Sequence, residues 1–356
     1  MQKLGLKPVP ECACLFTNSR LIVFFYVDDI VVLYHRLDEQ AYVDFRDKLM
    51  GQFKLREMGD LKWFLGIRVL RDRVHHRIWL CQDSYISKIA RTFNLVHRKA
   101  RIPLAVEPLL RYEGTATPED KLRYQRKVGS IGYPTSITRP DCAQALQKLS
   151  EFLQNPGPAH QEAADQSIAY LHSTKTYALE YGSTDITPVF LTASDASFAD
   201  DAIRRWSTEG GLFKLFGGCI DWHCTLQRTV TTSSTEAELL ALSHICAWLF
   251  WWRRVFDYLE LDLDSESTVN CDNLQTVRLM MKESPKLVTK LKHIDIHQHW
   301  LRQETAKGTV KIEWISTTDM PADGLTKALG PQKHEAFRRQ LGLVDIRTLL
   351  EQTDSS

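Results

Sequence analysis

From residue 189 onward the chain changes its hydrophobic pattern, and the order of that change restricts the fold more than any other feature. Strand-length apolar runs come first, at Val189–Ala193, Gly211–Phe216 and Gly218–Trp222. A long helical stretch follows from Thr235 to Leu259, then a short strand Thr268–Cys271, helices Leu274–Met281 and Thr289–Glu304, a strand Thr309–Ile315 and a helix at Ala322–Leu329. Neighbouring strands without intervening helices pair antiparallel, whereas strands separated by helices need crossovers and pair parallel. The expected product is a mixed five-stranded sheet flanked by helices, in an α/β chain of mixed α+β character.

The preceding half reads differently. Leu21–Tyr26 and Ile30–Tyr34 are rich in Val, Ile, Phe and Tyr and are separated by Val27-Asp28-Asp29, which predicts a hairpin with two carboxylates at its turn. Leu37 to Met50 has helical spacing, Leu61–Leu70 and Arg77–Cys81 read as a second strand pair, and Ser84 is placed as the N-cap of a following helix. The pattern fades between Ile102 and Pro118. Helices are expected over Lys121–Ile131, Asp141–Leu153 and Ala159–Ser173, the last two parted by Asn155-Pro156-Gly157-Pro158. These signals divide the chain at 1–110, 111–187, 188–330 and 331–356, the last a C-terminal tail expected to be disordered after Gln352.

Charge gives no global hint of a partner, because 45 Lys+Arg against 44 Asp+Glu leave a net charge of +1. Locally, Arg68 to Arg101 holds nine Lys/Arg against Asp72 and Asp83, with Trp79, Tyr85 and Phe93 interleaved. Such a stripe suits the phosphates of a nucleic-acid duplex, and reads equally well as a solvated basic face. Eight dispersed cysteines with no Cys-x-x-Cys pair argue against a disulfide framework or zinc ribbon. With no signal-like leader, they lead us to expect a reducing intracellular compartment, cytoplasm or nucleus. The most apolar early stretch carries Asp28 and Asp29 at its centre, so no membrane span is expected there.

Acids in distinctive settings are the candidate site. Asp28 and Asp29 sit between β-branched and aromatic residues, where mutual repulsion and desolvation are costly unless a divalent cation offsets them. Asp195 follows the strand Val189–Ala193, Glu238 lies one turn into a helix, Asp272 ends the strand Thr268–Cys271 and Asp323 opens a helix. Each alone reads as a turn or capping acid. Together, a strand, a helix, a strand end and a helix start can converge on one sheet edge and hold two magnesium ions. Glu236 projects roughly 200° away from Glu238 on the helix, which makes it a capping or surface acid. His293 and His297 have the spacing of a metal pair but lack an intervening general base, so helix packing or nucleic-acid contact is the better reading.

The string Phe25-Tyr26-Val27-Asp28-Asp29-Ile30 resembles the Tyr-x-Asp-Asp box of reverse transcriptases. Met58-Gly59-Asp60-Leu61-Lys62-Trp63-Phe64-Leu65-Gly66-Ile67 is similar to the primer-grip region of copia-type retrotransposon polymerases. Tyr124, Gly132-Tyr133 and Thr138-Arg139-Pro140-Asp141 are similar to their connecting segment. The ordered series Asp195, Glu238, Asp272 and Asp323 resembles the acids of the ribonuclease H attached to those polymerases. From about Leu4 to Leu329 the chain thus resembles the C-terminal part of a copia-type Pol polyprotein: a truncated polymerase palm, a helical connection and a ribonuclease H domain.

The resemblance implies that Asp195, Glu238, Asp272 and Asp323 bind two Mg2+ ions, or Mn2+ in their place, and hydrolyse the RNA strand of an RNA–DNA hybrid. It implies that Asp28 and Asp29 are metal ligands of a polymerase remnant. Nucleic-acid contacts to that hybrid or to a primer–template duplex fall to Tyr26, Gly66, Arg68, Arg71, Arg73 and Arg77. The polymerases also use an upstream aspartate and a fingers region, so no polymerase activity is expected of this chain by itself. An upstream polymerase segment or a second Pol chain is the implied protein partner. Two departures stand out: the loop before Asp323 has no histidine, and Leu226 stands where the family usually has a basic residue. The competing expectation is a catalytically silent nucleic-acid-binding remnant.

Overall fold

The computed structural model describes residues 1–182, 188–201, 204–261, 263, 267–280 and 292–354. The chain divides into two units, Met1–Lys62 with Cys246–Asp264, and Trp63–Ile245 with Ser265–Ser356. This division does not coincide with the boundary expected at 110.

In the first unit four strands, β1 (Lys7–Val9), β2 (Cys12–Thr17), β3 (Leu21–Tyr26) and β4 (Asp29–Tyr34), form an antiparallel meander in sequence order. Helix α1 (Glu39–Met50) covers it, because its Phe45 and Leu49 fall on one face and bury against Leu6, Leu21 and Val23. The hairpin of β3 and β4 is tighter than expected: Tyr26 pairs with Asp29, so only Val27 and Asp28 form the turn. Val27 takes a positive φ of 54° there, an uncommon conformation for a β-branched residue.

The second unit contains two five-stranded sheets. One is antiparallel, in the order β14-β8-β7-β6-β5, made of β5 (Trp63–Phe64), β6 (Ile67–Asp72), β7 (Arg77–Cys81), β8 (Tyr177–Tyr181) and β14 (Leu343–Asp345). Helices α2 (Asp83–Thr92), α3 (Pro118–Ile137), α4 (Ala143–Ser150) and α5 (Pro158–Ser173) share an apolar core that includes Ile86, Tyr124, Ile131, Leu149 and Ile168. Gln82, not Ser84, precedes α2, and Asp83 begins the helix while accepting two hydrogen bonds from Arg68 at 3.2 and 3.1 Å. The Thr138–Asp141 string is structural. Arg139 is fully buried, donates to both carboxylate oxygens of Asp141 at 2.9 and 2.7 Å, and reaches Thr174 at the end of α5.

The other sheet runs β11-β10-β9-β12-β13, from β9 (Phe190–Ser197), β10 (Thr208–Leu215), β11 (Gly218–Leu226), β12 (Thr268–Cys271) and β13 (Lys311–Trp314). β9, β10 and β11 are antiparallel, while β12 pairs parallel with both β9 and β13. This is the mixed five-stranded sheet expected from the element order. Its helices are α6 (Ser234–Tyr258), α7 (Leu274–Met280), α8 (Lys292–Lys307) and the single turn α9 (Asp323–Thr326). Residues 331–354, expected as a tail, instead form α10 (Pro331–Gln340), β14 and α11 (Arg347–Asp354). α10 seats Phe337 in the core beside Leu212 and Leu325. Among the described residues no helix is long and apolar enough to cross a membrane.

Candidate metal centre

The parallel register of β9 and β12 builds the centre. Cys271 lies opposite Ser194, so Asp195 and Asp272, one residue further on, leave neighbouring strands at the same end. Helix α6 crosses this end because its Ala237 and Ala241 are small enough to pack directly on Ala196 of β9. That contact brings Glu238 over the strand ends. On β10 two consecutive glycines face opposite sides of the sheet. A Cβ on Gly211 would lie 2.0 Å from Ile245 of α6, and one on Gly210 would lie 2.7 Å from Thr326 of α9. Only hydrogen at both positions lets the two helices approach this closely.

Asp195, Glu238 and Asp272 each offer an oxygen within 4.8 Å of the others. Among the described residues this is the one group of three or more His, Cys, Asp or Glu side chains that converges in this way. Asp195 is 1% exposed and Glu238 5%. Burial pushes the Asp195 carboxyl above its usual range against the opposing pull of Lys327. Burial, with Asp195 and Asp272 beside it, pushes Glu238 up to about 9. Glu238 accepts from the Ala196 backbone N–H, but its buried Oε2 has no hydrogen-bond partner. Asp272 accepts from Thr317 at 2.9 Å, and its backbone carbonyl accepts from the half-exposed Trp314 indole at 3.0 Å.

Asp323, the fourth predicted acid, is turned toward Lys327 at 2.5 Å. Lys327 also stands 3.6 Å from Asp195, whose Oδ2 accepts from the Thr326 hydroxyl. Thr326 and Lys327 went unnoticed in the sequence although the spacing held the signal: residues three and four beyond a helix-opening acid share its face. Glu236 behaves as expected of a cap, since its Oε2 accepts from the Thr232 N–H at 2.6 Å while Ser233 Oγ accepts from the Glu236 N–H. His297 is hydrogen-bonded to Ser243 at 2.7 Å, and the His293 side chain lies outside the described residues.

The remaining predicted residues are dispersed. Asp28 and Asp29 are exposed at the β3–β4 turn, next to a Tyr26 that is 56% exposed. Gly66, with φ 76°, and Leu65, with φ 50°, form the two-residue turn between β5 and β6. A left-handed turn suffices to explain that glycine. Arg68 is paired with Asp83 and stacked 4.8 Å from the Trp63 ring, so its guanidinium is engaged within the fold. Arg71 and Arg73 are exposed, and Arg77 lies 3.8 Å from Glu180.

The family described as reverse transcriptase (RNA-dependent DNA polymerase) matches residues 1–105. The Pol polyprotein of transposon TNT 1-94 from Nicotiana tabacum is 32% identical over 92% of this chain and 24% of that protein. Over nearly its whole length the chain is similar to Pol polyproteins of copia-type retrotransposons. Another relative, the Pol polyprotein of transposon RE2 from Arabidopsis thaliana, is 30% identical over 92% of the chain and 22% of that protein. The chain thus spans about a quarter of the length of the curated relatives it matches. A shorter relative, the secreted RxLR effector protein 161 of Plasmopara viticola, is 44% identical over 36% of the chain and 89% of that protein. Among solved structures, LC11-RNase H1 in complex with an RNA/DNA hybrid matches at 16% identity and a TM-score of 0.29, over 38% of this chain and 92% of that one.

Proposed function

We propose that this chain hydrolyses the RNA strand of RNA–DNA hybrids with a divalent metal held by Asp195, Glu238 and Asp272. The observation that carries the reading is the buried Glu238, whose Oε2 has no hydrogen-bond partner and whose carboxylate converges with two others to within 4.8 Å. Three acids so close cannot all ionise in a dry setting without a cation of higher charge between them. Magnesium, with its preference for oxygen ligands, suits this donor set, and manganese would fit it as well. When bound, the metal supplies Lewis-acid activation of a water and stabilisation of the leaving oxygen in an in-line displacement.

The chain's own residues prepare that chemistry. Thr326 and Thr317 each donate to one carboxylate, on Asp195 and Asp272, and so restrain the orientation of those two acids. The β9–β12 floor and the α6 alanines keep water from the inner side. The substrate follows from the family: an RNA-dependent DNA polymerase leaves RNA paired with DNA, and such a duplex is recognised by shape and 2′-hydroxyls, not by sequence. We assign hydrolysis and not templated synthesis to this chain because Asp28 and Asp29 stand exposed at a turn, apart from any converging third ligand among the described residues.

The test is cleavage of a labelled RNA–DNA hybrid in magnesium, comparing the native chain with Asp272→Asn. Loss of at least about a hundredfold in rate is expected, as for removal of one electrostatic stabiliser. Cleavage insensitive to the substitution would refute the assignment. Hybrid binding without any cleavage would favour a silent nucleic-acid-binding protein.

A further inference from the structure

The metal centre contains a positive charge of its own. Lys327 ends the α9 turn, with its Nζ 2.5 Å from Asp323 Oδ1 and 3.6 Å from Asp195 Oδ2. Asp195 is therefore shared between two clusters. It converges with Glu238 and Asp272, and it also shares the Lys327 ammonium with Asp323. Asp323 is not part of the converging three. A second divalent ion bridging Asp195 and Asp323 would need the space that Nζ fills, and would meet its charge at close range. The lysine side chain is 43% exposed, so its stem can carry the ammonium out to solvent.

We propose that Lys327 acts as a built-in second cation. In the absence of nucleic acid one divalent ion binds at Asp195, Glu238 and Asp272, and a second binds beside Asp195 and Asp323 only by displacing Lys327. This rests on the metal-binding reading of the three acids and goes beyond it by assigning the number and order of ions. Lys327 thereby sets the metal concentration at which the centre fills, and keeps the Asp195–Asp323 side neutralised at lower concentrations.

The experiment counts Mn2+ bound to the whole chain without substrate, by calorimetric titration and by electron paramagnetic resonance of the free ion. The native protein should bind one ion tightly. Lys327→Ala and Lys327→Gln should bind two, the second at least tenfold tighter than in the native chain, while Lys327→Arg, which keeps the charge, should retain one tight ion. Identical isotherms for the native chain, Lys327→Ala and Lys327→Gln, with the tight ion still lost in Asp272→Asn, would overturn the role of Lys327 alone. No tight ion in the native chain, or one that persists in Asp272→Asn, would overturn the metal-binding reading and this inference with it.

Discussion

The two acidic sites in this chain have the same kind of residue and opposite environments. Asp28 lies in an exposed two-residue turn and Asp29 opens the strand after it, where water screens their repulsion and the strain resides in the backbone of Val27. Asp195 and Glu238 are buried, their backbones lie in a regular strand and a regular helix, and the strain is electrostatic. A pair of acids in a sequence thus says little by itself. What distinguishes the two sites is whether the fold removes water from the carboxylates and then leaves an oxygen without a partner.

The largest effect that could break this comparison is on catalysis. Glu238→Gln should lower hybrid cleavage at least about a hundredfold, whereas Asp28→Asn and Asp29→Asn should leave it within about twofold. Equal losses from both sites would erase the distinction drawn between them.

Stability against pH sharpens the contrast next. In metal-free protein the folded chain retains a proton on Glu238 up to about 9, while the unfolded chain releases it near 4.5. Between those values the folded state binds more protons, so stability falls as pH rises, by at most about 1.4 kcal/mol per pH unit. Denaturant melts in a chelator should show this decline. It should flatten in Glu238→Gln and persist in Asp29→Asn.

The smallest effect concerns the turn. Val27→Gly relieves a left-handed conformation that costs an ordinary residue roughly 1–2 kcal/mol, partly offset by the greater freedom of glycine in the unfolded chain. A net gain of about 1 kcal/mol in stability of the first unit is expected from its urea melt, with hybrid cleavage unaltered. A loss of stability would show that the turn is not where strain is held.

The parts of the fold that were legible in the sequence are those whose pattern is local. β12 agrees to the residue, because β-branched Thr268 and Val269 begin it and Asp272-Asn273 end it, and α5 agrees within one residue behind its Pro-Gly-Pro start. β8 and β14 were missed because they are short and owe their conformation to partners far away in sequence. α10 was read as a tail because most of its positions are polar; His334 and Phe337 are its buried residues. At the site, the three converging acids were found since each lies at the end of a readable element. Lys327 was missed because a search for metal ligands looks for donors of negative charge and passes over the cation beside them. The pairing of Arg68 was hidden for the converse reason: a basic stripe does not reveal which member the fold pairs with Asp83.

The sheet that runs from β5 to β14 has a consequence for how the molecule is made. Its first three strands end at Cys81, yet the strand that pairs with β7 begins at Tyr177, and the one that completes the row begins at Leu343. Vectorial synthesis therefore holds an unfinished sheet edge open while more than two hundred further residues are added, an interval in which it can pair wrongly or meet a chaperone. Closure of that edge comes with the stretch that also delivers α10 beneath α9. The helix turn carrying Asp323 and Lys327 thus gains its support only once α10 has been made, and a chain cut short before α10 would carry the acids of the centre without the scaffold that orders them.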